Sequence, residues 1–250
     1  MELTIEELLK GKATKIKEKE FYPTEAYVTP FLERLQKLTT DFRIKAELPK
    51  QVTITKKDDI NFDDVTYNRV WIQAVLPETV YNHSEVIGMV YSIDTRKPIC
   101  KFYKGGLNMA CTNLCVFNPL DLRVQEFSDK VDYRSLDYIV ERENELKKFL
   151  DSLFGRVFSL NTINENLGKW VKNCINLKYD NGITKASMST SVPISVYKLL
   201  FKDTKSPYYV NNDTDYFKVY NAFTDILSNK ENDIINSVDK TLLLRNILEL

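Results

Sequence analysis

The period of the hydrophobic pattern changes near Pro119, and this change limits the folds available to the chain. Between residues 41 and 118, apolar side chains recur at every second position, which predicts β-strands. Between residues 133 and 250 they recur every three or four positions, which predicts amphipathic helices. Because short turns separate the predicted strands, the sheet should be largely antiparallel. The sequence therefore predicts an α+β fold, with helices from the second half packed on a sheet from the first half.

The first 40 residues have a different pattern, and we expect them to form a helical N-terminal segment before a single α+β domain at residues 41–250. Thr4 and Glu7 match a capping box, and Thr29 followed by Pro30 predicts the start of a second helix. The charge-rich run at residues 10–20 indicates a solvated linker or a frayed helix. The alternative is a phosphate-contacting arm, which would use the lysines of this region: Lys12, Lys15 and Lys17.

The sequence predicts the secondary structure of two segments in detail. In residues 101–119, the pair Gly105-Gly106 predicts a turn that feeds a buried strand from Leu107 to Phe117, a run without charged residues. In residues 133–154, one apolar stripe continues over five or six turns, which predicts a single long helix. The opposite face of that helix is dense in charges around Glu141–Lys148.

The charge balance restricts the function classes. The chain has 35 basic and 35 acidic residues, so its formal net charge is zero. This balance argues against a protein that coats nucleic acid by bulk charge, although a local basic patch remains compatible with it. The N-terminus has no apolar stretch of signal-peptide length, and no run approaches the ~20 apolar residues of a membrane span. We therefore expect a cytoplasmic protein.

Residue types used in metal binding and catalysis are scarce. The four cysteines form no C-x-x-C pair and His83 is the only histidine, so we expect no metal, no cofactor and no disulfide. His83 is expected in a surface turn. The pairs Asp58-Asp59 and Asp63-Asp64 offer oxygen ligands for Mg²⁺, but paired acids in a polar loop more often form a solvated turn. No phosphate-binding loop or dinucleotide fingerprint is present, and we expect no enzymatic activity.

Aromatic and basic residues alternate on the predicted strands. Arg69 and Trp71 share one face of a strand, Lys101 and Tyr103 share a face of another, and Phe102 and Lys104 share its opposite face. Sheets that bind nucleic acid stack bases on aromatic rings and contact phosphates with neighbouring cations. The alternative is that the aromatic rings pack in the core while long cations extend to the rim of the sheet. The neutral charge of the chain favours this second interpretation.

Two short motifs suggest a family. The first is Ala110-Cys111-Thr112-Asn113-Leu114-Cys115, and the second is Tyr220-Asn221-Ala222-Phe223-Thr224 in a predicted late helix. In this order and about a hundred residues apart, they resemble phage- and plasmid-type proteins of unknown function from Bacteroidetes-like hosts. The resemblance covers roughly residue 65 to the C-terminus and transfers no catalytic residues.

The resemblance implies a mobile genetic element, and hence a non-enzymatic protein that binds the host's defence machinery. We expect an anti-CRISPR-type inhibitor, whose partner is a CRISPR effector such as a type VI RNA-guided RNase, or its guide-RNA complex. The alternative is a phage protein that binds or anneals single-stranded nucleic acid; an enzyme with an acid-pair metal site is a third hypothesis. Candidate contacts are the cations and one aromatic near the strand ends, together with three acids of the long helix: Arg69, Arg96, Lys97, Lys101, Tyr103, Lys104, Glu141, Glu143 and Glu145.

Overall fold

The computed structural model describes most of the chain. The described ranges are 1–16, 19–48, 57–93, 98–109, 114–116, 118–127, 130–143, 145–159, 163–180, 185–211, 213–230 and 234–250. Of the first family motif, residues 110–113 lie outside these ranges, as do the candidate contacts Arg96 and Lys97.

The chain forms two compact units, and each is built from several separate segments. Unit 1 comprises residues Met1–Glu78, Glu85–Lys104 and Leu120–Arg142. Unit 2 comprises Thr79–Ser84, Gly105–Pro119 and Glu143–Leu250. The contact pattern therefore places no boundary at residue 40, where the sequence predicted one.

Unit 1 combines short N-terminal elements with most of an antiparallel sheet. Its elements are α1 (Ile5–Leu9), β1 (Thr14–Ile16), β2 (Lys19–Phe21), α2 (Thr24–Leu35), β3 (Phe42–Glu47), the larger part of β4 (Arg69–Val80), of β5 (His83–Ser92) and of β6 (Ile99–Asn108), β8 (Leu122–Glu126) and α3 (Arg134–Glu141). The strand order is β3-β4-β5-β6, and β8 pairs with β6. The registers are antiparallel, for example Ile44 opposite Ile72 and Lys101 opposite Val124. The predicted α+β class and the antiparallel sheet are confirmed.

One face of this sheet forms the core of unit 1 because alternate strand residues are apolar. Ile72, Tyr91 and Phe102 point to this face and belong to a buried cluster with Phe31 of α2 and Leu136 of α3. All five residues are at most 1% exposed. The helices of the N-terminal 40 residues are thus part of the same core as the sheet, which is why that segment is not a separate body.

Unit 2 is mainly helical. Its elements are β7 (Leu114–Cys115), α4 (Leu146–Phe154), β9 (Val157–Phe158), α5 (Ile163–Asn176), β10 (Lys178–Asp180), β11 (Lys185–Ser187), α6 (Ser191–Phe201), β12 (Thr214–Asp215), α7 (Tyr216–Lys230) and α8 (Ile234–Leu248), and it also holds the ends of β4, β5 and β6. Trp170 of α5 lies at its centre, 5.5 Å from the Phe158 ring and 5.2 Å from the Phe223 ring. The second family motif lies in α7, where Tyr220, Ala222 and Phe223 are buried in this core.

The predicted turn at Gly105-Gly106 is wrong, because both glycines lie inside β6. At Gly105 the backbone of β7 approaches so closely that a Cβ atom would lie 2.4 Å from the Cys115 carbonyl oxygen. These glycines therefore permit close strand pairing, as Gly does where two backbones meet.

The predicted long helix at residues 133–154 is also wrong, because the chain forms α3 and α4 with a break between them. Arg142 adopts an extended conformation at ψ 145°, and its carbonyl oxygen accepts a hydrogen bond of 2.7 Å from the Lys104 ammonium. The Lys104 side chain thus binds the Arg142 carbonyl oxygen, which would accept a helical hydrogen bond if the helix continued.

Two predictions for the N-terminal segment are wrong as well. Residues 14–16 and 19–21 pair as a short antiparallel hairpin, in the run predicted to be a linker or frayed helix. Pro30 does not begin a helix but lies inside α2, which starts at Thr24.

Among the described residues, no helix combines the length and the apolar character that a membrane crossing requires.

Candidate macromolecule-binding surface

Lys104, a predicted surface contact, lies in a buried ionic network of unit 1. Its ammonium is 2.9 Å from Glu85 Oε1, and the two side chains are only 6% and 9% exposed. Arg142, whose carbonyl accepts from Lys104, is paired through Nε with Asp121 Oδ1 at 2.7 Å. The predicted exposure of Lys104 is therefore wrong, because an acid on the adjacent strand neutralises it inside the protein.

Lys101 and Tyr103 are also buried, and both are 0% exposed. The Tyr103 ring lies directly over Gly88, where a Cβ atom would come within 2.0 Å of Cζ. Burial raises the pKa of Tyr103. The absence of a side chain at Gly88 makes room for the ring. Neither Lys101 nor Tyr103 reaches solvent, so the predicted exposure of these two residues is wrong.

The remaining predicted cations do not gather into an open patch within the described residues. Arg69 is half-buried, and its Nη1 atom lies 3.4 Å from Glu47 Oε2. Of the N-terminal lysines, Lys12 is exposed and pairs with Asp64 at 2.5 Å, whereas Lys17 lies outside the described ranges. A cation–aromatic pair of β3 and β4 reaches solvent: the ammonium of exposed Lys45 lies 5.3 Å from the centre of the half-buried Trp71 ring.

The three predicted acids, in contrast, are exposed. Glu141 ends α3 in unit 1, Glu143 follows in the break, and Glu145 is the N-cap of α4 in unit 2. None of the three carboxylates forms an ion pair with another described residue. They do not share one helix as predicted, but Glu143 and Glu145 lie together at the start of α4.

The exposed face of α4 meets an aromatic cluster that the sequence analysis missed. Tyr81, at the tip of the β4–β5 hairpin, is 50% exposed, and Phe154 of α4 is 41% exposed. Their rings lie 5.0 Å apart in an edge-to-face arrangement, and Phe154 stacks on Phe217 at 4.4 Å. The Tyr81 hydroxyl donates a 2.8 Å hydrogen bond to Asp151 Oδ1, whose second oxygen accepts a 2.7 Å bond from Lys147.

Electrostatic effects at this cluster follow from the hydrogen bonds. The bonds from Lys147 and, second, from Tyr81 lower the pKa of Asp151, and the same carboxylate raises the pKa of Lys147 and of Tyr81. Asp151 is therefore a fixed charge that holds the Tyr81 ring in place. The sequence held a signal for the turn, since Tyr81 and Asn82 stand between two strand patterns, but it held no signal for the cluster.

The other residues that the sequence offered for catalysis or metal binding are His83 and the two pairs of aspartates. His83 is not on the surface but 2% exposed, with Nδ1 bonded to the Tyr81 carbonyl oxygen at 2.8 Å, and burial lowers its pKa. Asp58, Asp59, Asp63 and Asp64 lie in two short 3-10 turns. Across the described ranges, no three His, Cys, Asp or Glu side chains are arranged to hold a metal ion.

Comparison of the chain with protein-family models, with curated proteins and with solved structures finds no match.

Proposed function

We propose that this chain is a non-enzymatic, cytoplasmic mobile-element protein that binds and inhibits a host defence nucleoprotein. A type VI RNA-guided RNase is the partner that the family resemblance suggests. The contrast between buried cations and exposed acids supports a mode of binding in which the acids contact the partner. Lys101 and Lys104 are 0% and 5% exposed, whereas the Glu143 and Glu145 carboxylates face solvent.

An RNA-guided effector holds its guide duplex in a positively charged channel. Exposed carboxylates at the start of α4 complement such a channel wall, since opposite potentials steer association and fix the register of an interface. Phosphate contacts by the sheet cations would need Lys101 and Lys104 at the surface. The acidic mode therefore explains binding with the residues that are accessible.

Charge reversal tests this proposal. We expect Glu143→Lys with Glu145→Lys to weaken binding to the guide-free effector at least tenfold, because each reversal replaces attraction by repulsion. A tenfold loss of affinity corresponds to about 1.4 kcal/mol of binding free energy. Binding is measured by surface-immobilised effector at low and physiological salt, and inhibition by cleavage of a reporter RNA. The matched control is Glu33→Lys with Glu165→Lys, which makes the same change in net charge at two other exposed helical acids and should stay within twofold.

Unchanged binding of the double reversal would contradict the acidic mode. Equally tight binding of the wild-type chain to bare single-stranded DNA would replace the inhibitor by the second candidate, a single-strand binding or annealing protein. The observation that favours this second candidate is the solvent-facing Lys45–Trp71 pair, since stacking aromatics beside cations bind unpaired nucleotides.

A further inference from the structure

Unit 2 contains a basic segment that the neutral net charge of the chain conceals. From the start of α5 to the turn after α6, residues 163–206 hold seven lysines, three acids and no arginine, so their formal net charge is +4. The rest of the chain carries −4, because the whole sequence sums to zero. Charge that is segregated in this way gives one region a positive field that the average composition does not indicate.

Five of these lysines lie at exposed positions of two helices that pack against each other. On α5, Lys169 and Lys172 are three positions apart, which places them on the same side of the helix. On α6, Lys198 and the C-cap residue Lys202 are four positions apart, and Lys205 follows in the next turn. All five side chains are exposed, and α5 contacts α6 within unit 2. The two rows of lysines therefore belong to one region of this unit.

The charges of these five lysines are not neutralised by close partners. None of the five forms an ion pair with another residue that the structure describes. The exposed acids of the same elements are Glu165, in the first turn of α5, and Asp203, just after α6. Asp203 Oδ1 accepts a hydrogen bond of 3.1 Å from the Lys205 backbone amide rather than from its ammonium. Five exposed bases thus stand against two exposed acids, and a net attraction for an anionic partner remains.

The use of lysine favours phosphate groups over an acidic protein surface. Protein interfaces are enriched in arginine and depleted in lysine, because the guanidinium group is weakly hydrated and binds a carboxylate through two parallel hydrogen bonds. The lysine ammonium is a strongly hydrated point charge, and it neutralises phosphates and releases their counterions without a fixed geometry. Residues 163–206 contain no arginine, so their composition matches the second type of contact.

A lipid surface is the other large array of phosphates, and α5 and α6 do not fit it. A helix that lies on a membrane inserts an apolar face between the lipids. The apolar faces of α5 and α6 are already used, since Trp170, Val196 and Leu200 are buried in the core of unit 2. Ile175 and Ile194 are exposed by 65% and 42%, but single exposed apolar residues are normal for a protein surface.

The aromatic residues of these helices favour a duplex over a single strand. Proteins that bind single strands stack the bases on accessible aromatic rings. Trp170 is buried, and the half-buried Tyr197 ring lies 5.8 Å from the Lys202 ammonium, which covers it. Contacts from lysines to phosphates position a duplex without reading its bases. The region therefore has the groups for backbone contact, whereas its described aromatic rings are not open for stacking.

We propose that a lysine face of unit 2 binds the phosphate backbone of a nucleic-acid duplex without sequence specificity. The lysine face consists of five residues: Lys169, Lys172, Lys198, Lys202 and Lys205. This contact goes beyond the proposed function and does not depend on it, because the acids at the start of α4 take no part. Binding of this kind is weak and sensitive to salt, with dissociation constants of about 1–100 μM at physiological salt.

The test is the salt dependence of binding between the full chain and a fluorescent DNA duplex of about 20 base pairs, followed by anisotropy at about 50–200 mM NaCl. Each phosphate contact adds about −0.9 to the slope of log K against log salt, so five contacts give a slope near −4.5. Lys198→Gln, Lys202→Gln and Lys205→Gln together should make the slope shallower by about 2.7 and weaken binding at least tenfold. Glutamine keeps the helix propensity of lysine, so the thermal midpoint should not change.

The matched control replaces three exposed lysines of unit 1 by glutamine. Lys10→Gln, Lys37→Gln and Lys130→Gln together make the same change in net charge, and all three side chains are exposed. We expect this control to change the affinity less than twofold, because it leaves the lysine face intact.

A loss of affinity that is confined to the α6 variant supports the lysine face. Equal losses in both triple variants, or no binding of the duplex by the wild type at the lowest salt, overturn it. Tighter binding to one separated strand of the same DNA overturns the assignment to a duplex. Lysine-dependent binding to phosphatidylcholine vesicles with about 30% phosphatidylserine that is tighter than duplex binding assigns the face to a lipid surface instead. None of these measurements uses the effector, so the inhibitor function and the lysine face stand or fall separately.

Discussion

Gly88 shows how one missing side chain shapes the sheet of unit 1. A Cβ atom at this position would lie 2.0 Å from Cζ of the buried Tyr103 ring. We expect Gly88→Ala to lower the free energy of unfolding by about 1–3 kcal/mol, because overpacking forces the ring out of its position. Urea unfolding measures the change. The control is Gly168→Ala in α5, where no atom lies within 4 Å and the helix should gain about 0.5–1 kcal/mol. Equal effects at both glycines would contradict the steric explanation.

His83 makes the stability of the chain depend on pH near neutrality. Burial lowers its pKa in the folded state, so below its ordinary pKa of about 6.5 the unfolded chain takes up a proton that the folded chain refuses. The unfolded state then binds more protons, and stability falls as the pH decreases, by up to about 1.4 kcal/mol per pH unit.

This dependence can be assigned to His83 because the chain has no other histidine. Urea unfolding between pH 7.5 and 5.5 should show a steeper loss of stability in the wild type than in His83→Gln. Parallel pH profiles for the two proteins would show that His83 is not the titrating group.

At the scale of elements, the hydrophobic period predicted strands in the first half and helices in the second half, but not where individual elements begin and end. The hydrophobic period indicates which face of an element is buried. It does not indicate where a backbone amide or carbonyl group finds its hydrogen-bond partner. The break between α3 and α4 depends on Lys104, 38 residues away in the sequence from the Arg142 carbonyl that it binds. Pro30 in α2 was misplaced for the same kind of reason, since tertiary packing of Tyr27, Phe31 and Leu35 extends the helix through a residue that local rules put at its start.

The candidate site was predictable only in part. Exposed acids at the start of α4 follow from their charge, because unpaired carboxylates stay in water. The burial of Lys104 depends on Glu85, and these two residues meet because β5 and β6 are neighbours in the sheet. The Tyr81 cluster required knowledge that α4 returns to the hairpin tip, which no local pattern encodes.

At the scale of the whole molecule, the two units are interleaved along the chain. Unit 2 includes residues 105–119, where the Val116 amide donates to Thr241 Oγ1 at 3.2 Å and Asn108 bonds to Asn221 at 3.3 Å. A fragment of residues 143–250 lacks these partners. We expect it to lose cooperative thermal unfolding, followed by circular dichroism, because the hydrogen bonds and the core packing that residues 105–119 supply to α7 and α8 would be lost. A sharp transition near that of the full chain would show that the helices form an independent body.

The chain passes between the two units at residues 78/79, 84/85, 104/105, 119/120 and 142/143. A recombination event with a breakpoint between codons 79 and 142 would divide both units. Part of each unit would then be joined to foreign sequence. Most proteins assembled from consecutive domains can gain or lose one of them in a single recombination event. This gene has no such junction in its middle third, so we expect relatives to differ by point substitutions and by loop insertions rather than by swapped halves.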